Sequence, residues 1–305
     1  MKNSFTQYIK EKAKDIGFEK IGITQAVSTD EERIQLEDWL KNKHHGTMNW
    51  MEKRKDERGS IFNYFTEVKS VISVGLNYFS GHDQNDLKSN YKFSNYAWGD
   101  DYHHIIKSKL YELMKHIKDE YPDIKAIACV DTSPIMEKLW AQKSGIGWEG
   151  KHTNLITRDY GSWLFLGEIL VDIELEYDNE FIEDLCGSCT ACIDSCPTHA
   201  LDEYQIYAEK CISYFTIEHK GEFPSNTELD NWIYGCDICQ EVCPWNQKFS
   251  QITNEKKFYP KEEILSWTDK DWESISKDEF RKIFKGSAVK RTKHAGLLRN
   301  INTNK

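Results

Sequence analysis

Cys186, Cys189, Cys192 and Cys196, followed directly by Pro197, stand at the gaps C-x2-C-x2-C-x3-C-P. Thiolates at that spacing hold cubane 4Fe-4S clusters: three close cysteines wrap three corners of one cluster, and the fourth, after a longer turn, ligates its neighbour. A second run, Cys236, Cys239 and Cys243 with Pro244, repeats the C-x2-C-x3-C-P ending without a first cysteine, and Cys211 lies between the runs to supply the missing ligand. The expected ligand sets are Cys186, Cys189, Cys192 and Cys243 for one cluster, and Cys196, Cys211, Cys236 and Cys239 for the other. Of the nine cysteines only Cys129 is left over, in an apolar stretch that suits a buried small hydrophobe. Zinc also takes four cysteines in close pairs, but zinc ribbons rarely carry three cysteines at successive two-residue gaps with a trailing Cys-Pro. Two clusters exchange single electrons without saying what is reduced, so the residues before Cys186 must bind something that accepts electrons.

The elements that must position these thiols are legible in the apolar spacing. Phe5, Ile9, Ala13 and Ile16 recur at helical intervals and predict a first helix ending at Gly17. A short strand is expected over 20–23, a helix over 29–41 with acidic residues in its opening turn, and a buried strand over 68–78. The polar stretch 80–95 reads as a long surface loop. A helix over 104–118 and an apolar strand over 124–130 follow, and the strand ends on Asp131, where a carboxylate is well placed to point into a site. Pro134 suits a helix start, continued over 135–143, and 163–175 alternates as a strand. Helices interleaved with strands predict an α/β (α+β) sandwich over about the first 175 residues.

A chain of 305 residues without an internal repeat has room for two or three modules, each with its own core. Apolar runs such as 71–76 fall far short of a bilayer span, and residues 1–20 lack the features of a secretory signal, so no membrane association and a cytoplasmic location are expected. In that reducing compartment clustered cysteines read as metal ligands rather than disulfides. The net charge of -10 argues against non-specific nucleic-acid binding by the whole chain. Yet Arg281, Lys282, Lys285, Lys290, Arg291, Lys293, Arg299 and Lys305 face only Glu279 over 279–305, a basic end on an acidic body.

Several long segments then carry a resemblance: AKDIGFEKIG at 13–22, YAWGDDYHH at 96–104, VDTSPIMEK at 130–138, GIGWEGKHTNLI at 145–156, GSWLFLGEIL at 161–170, the two cysteine runs, and CISYFTIEHKG at 211–221. In order and almost end to end, the chain resembles the epoxyqueuosine reductases, cobalamin-dependent iron-sulfur enzymes that complete the queuosine modification of tRNA. The resemblance implies a nitroreductase-like cobalamin-binding α/β domain over 1–178, a ferredoxin-like double 4Fe-4S domain over 179–250, and a short basic helical segment over 251–305 that contacts tRNA. It implies two 4Fe-4S clusters and cobalamin as cofactors, tRNA carrying epoxyqueuosine as substrate, and an external flavodoxin or ferredoxin system as electron donor. Family members often continue into a C-terminal helical repeat region, whereas this chain stops shortly after Arg299, which bears on tRNA affinity more than on chemistry.

The implied reaction removes an epoxide oxygen with two electrons and two protons. By resemblance Asp131 is the general acid, and burial after an apolar strand would raise its pKa toward neutrality; the bland reading makes it a cap for the helix near Pro134. The implied cobalamin contacts are Arg58, Tyr96, Tyr102, His103, Asp131, His152, Asn154, Leu155, Ser213 and Lys220, several of them donors suited to the polar rim of a corrinoid. His103 and His152 could each ligate cobalt, but lone histidines in polar stretches are more often hydrogen-bonded, and no D-x-H-x-x-G motif is present. Lys290, Arg291, Lys293 and Arg299 are expected on tRNA phosphates, with a solvated charge run as the ordinary alternative. Other functions to weigh are a corrinoid reductive dehalogenase-like enzyme, a pure electron carrier, and a tRNA-binding iron-sulfur module without catalysis.

Overall fold

The computed structural model describes residues 2–305, with side chains from residue 4 onward. Four antiparallel strands form its main sheet: β1 (Lys20–Gln25), β2 (Ser70–Asn77), β3 (Ala126–Cys129) and β4 (Leu164–Val171), in the spatial order β1-β2-β4-β3. The two central strands pair along their whole length, from Ser70 opposite Val171 to Asn77 opposite Leu164, and every residue of both is buried. Apolar residues on both faces require a cover on both sides.

On one face Ile72, Val74, Leu76 and Ile169 meet Phe5, Ile9 and Ala13 of α1 (Lys2–Ile16) and Ile106, Leu110 and Leu113 of a helix over Tyr102–Glu120. On the other, Val71, Cys129 and Leu170 pack with Ile61, Phe65, Ile135 and Trp140. The two-residue period of the strands thus splits one apolar run into two half-cores, giving the α/β sandwich read from the sequence. A helix over Asp30–Lys41 also forms, with Thr29 at its N-cap position.

Two local expectations change. Residues 80–95 are not a surface loop: Leu87, Tyr91 and Phe93 are buried, and Lys92–Phe93 pairs with Trp232–Tyr234 in a small parallel sheet. Their cover comes from Trp98, Trp272, Phe280, Phe284 and Leu297, most of them far along the chain, which local polarity could not reveal. Nor does Pro134 open a helix. The helix begins at Glu137 and runs to Lys143, preceded by a turn in which Asp131 has φ 34°, a left-handed conformation unusual for a residue with a Cβ.

The C-terminal residues form short helices whose apolar sides close over the segment around Phe93 and Trp98. Within them Arg299 is not free for phosphate. Its guanidinium donates to the carbonyls of Phe215 (3.0 Å), His219 (2.8 Å) and Gly221 (2.9 Å) and to Asn300 Oδ1, while its carbon lies 4.0 Å from the centre of the Phe223 ring. Three backbone acceptors would be stranded by its removal. Arg299→Ala is therefore expected to lower stability by on the order of 3 kcal/mol, read as a fall in the anaerobic thermal unfolding midpoint.

Candidate active site and iron-sulfur centres

Between Phe181 and Trp245 regular structure is short and sparse, and turns after four of the cysteines aim backbone amides at sulfur. Ala200 N donates to Cys196 Sγ at 3.3 Å. The amides of Ser213 and Tyr214 serve Cys211, that of Ile238 serves Cys236, and those of Trp245 and Asn246 serve Cys243. Such donors favour thiolate, the form that ligates metal.

Cys186, Cys189, Cys192 and Cys243 border one cavity of about 210 Å³, together with Lys151, His152, Leu185 and Trp245. Burial, then Cys243, Cys186 and Cys189, push the Cys192 thiol up to about 11. Cys239 is driven up by burial and then by Cys211 and Asp237, with Cys192 and Cys196 adding to it, while Cys236 feels Cys211 and Cys239. The eight thiols are thus gathered as two neighbouring groups of four, with Cys192 and Cys239 facing each other across the gap. Crowded buried thiolates suit a polycationic iron core, so the donor set fits the clusters that its spacing suggests. Cys129 lies apart, fully buried on β3 in the sheet core.

This cysteine-bearing segment is fastened to the sheet by buried polar contacts. Asn246 Oδ1 accepts from Ser162 N at 2.6 Å, and Asn246 Nδ2 donates to Gln240 O at 2.7 Å. Asp237, between two cysteines, accepts from Ser94 Oγ at 2.5 Å and Asn95 N at 2.6 Å, and burial holds its carboxyl up near 6.

The second centre lies around the end of β3. Asp131 Oδ2 is 2.9 Å from His103 Nε2, and His103 Nδ1 is 2.6 Å from Asp101 Oδ1. The helix over Tyr102–Glu120 aims this imidazole, because Asp101 is its N-cap and also accepts the His103 amide. Tyr102 stacks on Phe165 at 4.1 Å and hydrogen-bonds to Asp131. Burial works against a charged His103, but the two carboxylates outweigh it and carry its pKa to about 9. For Asp131 burial likewise opposes charge, yet the His103 hydrogen bond and charge, then Tyr102 and Arg291, win, so its pKa goes down, not up as the sequence suggested. Near neutral pH the proton of this pair sits on the imidazole.

Two carboxyls that the sequence reading missed stand behind Asp131. Glu137 Oε1 accepts the Asp131 amide, and burial followed by the Asp131 charge raises its pKa to about 8. Glu168, fully buried on β4, has neither carboxyl oxygen hydrogen-bonded among the described residues and is raised by burial and then by Glu137. A glutamate inside the otherwise apolar 164–171 run was the signal for Glu168. Lys138 Nζ donates to Thr153 O (2.7 Å) and Asn154 Oδ1 (3.2 Å) and feels Glu149, Glu137, Cys239 and Asp131, so it stands between the acid centre and the cysteines.

The other expected site residues divide. Arg58 stands within the field of Asp131 and Glu137, is stacked on Trp50 (5.6 Å), and keeps a buried Nη1 without a hydrogen-bond partner. Tyr96 Oη donates to Tyr234 Oη at 3.2 Å. Both His103 ring nitrogens are taken by carboxylates, which leaves no lone pair for cobalt. Burial and then Lys138 depress His152 to about 4, and the ring borders the cysteine cavity. The Leu155 side chain is buried with Ala141, Ile146 and Leu166 in a small core, so any contact it makes at the site is through its backbone. Ser213 borders Cys211, Lys220 is exposed, and Arg291 is paired with Glu218 at 2.5 and 2.8 Å yet reaches Asp131 electrostatically.

A family model described as a 4Fe-4S double cluster binding domain matches residues 185–246, and with the sheet and acid centre beside it this makes the chain an iron-sulfur oxidoreductase. A second model, "Epoxyqueuosine reductase QueG, DUF1730", matches residues 58–132. The chain is 48% identical over 303 residues to an epoxyqueuosine reductase of Cellulophaga algicola, covering 98% of each. It overlays on a crystal structure of an epoxyqueuosine reductase with an epoxyqueuosine-modified tRNA-Tyr stem loop, with a TM-score of 0.91, 30% identity, and coverage of 100% of this chain and 81% of that one. A Bacillus subtilis epoxyqueuosine reductase whose catalytic aspartate loop is swung out of the active site gives a TM-score of 0.88 at 28% identity, covering 100% and 82%. The chain belongs to the epoxyqueuosine reductase family. No described helix is long and apolar enough to cross a membrane.

The His103 assignment has a direct check. Its folded-state pKa lies above the ordinary value of about 6.5, so the stabilisation from its pairing is full below that value and lost as pH rises through about 9. An NMR titration of 13C-histidine-labelled protein should show one histidine with a midpoint near 9, and Asp101→Asn should move that midpoint down.

Proposed function

We propose that the chain reduces epoxyqueuosine to queuosine in the anticodon loop of tRNA, taking electrons one at a time from an external flavodoxin or ferredoxin system. In balance, the epoxide takes two electrons and two protons, both of its C–O bonds break, a C=C bond forms and the oxygen leaves as water. Cys186, Cys189, Cys192 and Cys243 hold one 4Fe-4S cluster, and Cys196, Cys211, Cys236 and Cys239 the other. Residues 1–178 form the cobalamin-binding domain, 179–250 the cluster domain, and 251–305 contribute tRNA contacts in the cytoplasm.

The observation that carries this reading is the Asp101–His103–Asp131 hydrogen-bonded chain, which ends on a half-exposed carboxylate in a strained turn. Strain and a displaced pKa at the end of a strand mark a functional position. The catalytic aspartate loop named for the Bacillus subtilis relative supports giving the role to Asp131. His103 stores the proton, Asp131 passes it to the epoxide oxygen as the C–O bond breaks, and Asp101 holds the imidazole in line. The second proton follows the same chain after His103 is recharged from solvent.

For cobalamin the residues fit. Arg58 offers a buried, unpartnered donor toward the region of Asp131, and the exposed Lys138 and half-exposed Asp131 show that polar groups converge on open space there. Arg58, Tyr96, Tyr102, Asn154, Leu155, Ser213 and Lys220 would hold its rim, and His103, whose two ring nitrogens face carboxylates, would not ligate cobalt. When bound, cobalamin supplies a two-electron nucleophile for the epoxide carbon. The target base has to be splayed from its loop to reach it.

Anaerobically reconstituted protein with cobalamin, a reductant and epoxyqueuosine-containing tRNA should give queuosine by mass spectrometry of the digested RNA, and only when cobalamin is present. Asp131→Asn should cut the rate by about 10²- to 10⁴-fold while cluster content is kept. No product, with clusters and cobalamin verified, would overturn the assignment.

Exposed Lys290 and Lys293 are the phosphate contacts to test, joined by Arg291 through its position between Glu218 and Asp131. Lys290→Ala and Lys293→Ala should each weaken tRNA binding and reduce the slope of log K against log salt by about one, as filter binding at several salt concentrations would report.

A further inference from the structure

His152 sits at the tip of a hairpin whose arms are Trp148–Glu149 and Leu155–Ile156. The tip is closed by Gly150 N donating to Asn154 O (2.9 Å) and Thr153 N donating to Gly150 O (2.8 Å), with Thr153 at φ 63°. Glycine at 150 gives the tip room: a Cβ there would lie 2.5 Å from the end of the Ile156 side chain and 3.1 Å from the His152 ring, so one of them would have to move. The tip is also tied to the cysteine-bearing segment, since Lys151 Nζ donates to Glu203 at 2.7 Å and Tyr204 N donates to Lys151 O at 3.3 Å.

This construction drives the imidazole inward until 3% of the residue is exposed. Its Nδ1 accepts the Asn154 amide at 3.1 Å, so a neutral ring carries its one proton on Nε2. That Nε2–H has no hydrogen-bond partner among the described residues. A buried donor without an acceptor is a rarity that calls for a missing partner. The ring borders the same cavity as Cys186, Cys189, Cys192 and Cys243, and the acceptors a cubane would bring there are its sulfurs.

We propose that His152 donates its Nε2–H to a sulfur of the cluster held by Cys186, Cys189, Cys192 and Cys243, and that this bond holds the potential of that cluster up. Reduction adds an electron whose charge spreads onto the sulfurs. A donor aimed at them favours the reduced state, and hydrogen bonding to sulfur is one of the terms that set cluster potentials. His152 is then a positioning and tuning residue for electron transfer, not a corrin contact. The inference rests on the ligand assignment above.

The test reads iron, potential and nuclear coupling rather than turnover. Wild type, His152→Leu and His152→Gln are reconstituted anaerobically, assayed for iron, and titrated by EPR. Wild-type protein should hold about eight irons per chain. In His152→Leu one of the two clusters should become harder to reduce, by about tenfold in the oxidised-to-reduced ratio or about 59 mV for one electron. Gln can place an amide N–H near the same spot, so His152→Gln should stay closer to wild type. Reduced wild-type protein labelled with 15N-histidine should show a nitrogen coupling to a cluster that His152→Leu lacks.

Absence of that coupling in wild type, with potentials unchanged in His152→Leu, would overturn the inference. A changed cobalamin absorption spectrum with unchanged cluster potentials would also overturn it and return His152 to the corrinoid. Wild-type protein that takes up no iron would instead sink the cluster assignment itself.

Discussion

Eight thiols packed into 58 residues, most of them at least partly shielded from water, set the terms for everything around them. Cys192, Cys236 and Cys239 are harder to ionise because they are buried, and harder again because neighbouring thiols would carry the same charge. Backbone amides relieve part of this at Cys211, Cys236 and Cys243, but amides alone do not offset four like charges in one cavity. An iron core does, and its binding free energy becomes folding free energy for a segment with little regular structure of its own. The apolar sheet and the short helices at the C-terminus then act as walls, and buried polar ties such as Asn246 to Ser162 and Asp237 to Ser94 hold the segment against them.

The acid centre obeys the opposite logic. Asp131 stands where burial alone would make a carboxyl neutral, yet His103 keeps it charged and takes the proton instead. A His held between two carboxylates is a proton store that remains filled throughout the neutral range. Glu137 feels Lys138 and His103 only as more distant charges, and burial followed by the Asp131 charge raises it to about 8, while burial and then Glu137 push Glu168 up as well. The same physical situation, carboxyls in a poorly hydrated place, therefore gives two outcomes that differ only by the presence of an imidazole.

The cysteine spacing was readable in advance because cubane ligation is a local constraint: two- and three-residue gaps are set by the turn that wraps a corner. The sheet was readable for a related reason, since 70–77 and 164–171 are apolar enough to demand cover on both faces. What escaped was non-local. Leu87, Tyr91 and Phe93 look exposed in a polar stretch until Trp272 and Phe284 close over them, and Arg299 looks like a phosphate ligand until three carbonyls claim it. The direction of the Asp131 shift needed the distance to His103, which lies 28 residues earlier and on another element.

Neighbouring residues at the start of the helix over Glu137–Lys143 connect the two centres. Glu137 turns back to the amide of Asp131, and Lys138 turns to the hairpin tip at Thr153 and Asn154, within the field of Cys239 and His152. Lys138 is a charge felt by both sides: the Cys239 thiol acts on it, and it acts on Glu137. Lys138 therefore carries charge-charge coupling between the cysteines and the carboxyls around Asp131, with solvent screening part of it. Trp140, on the same short helix, packs with Leu170 of the sheet, so the residues that reach the two centres share one anchored element.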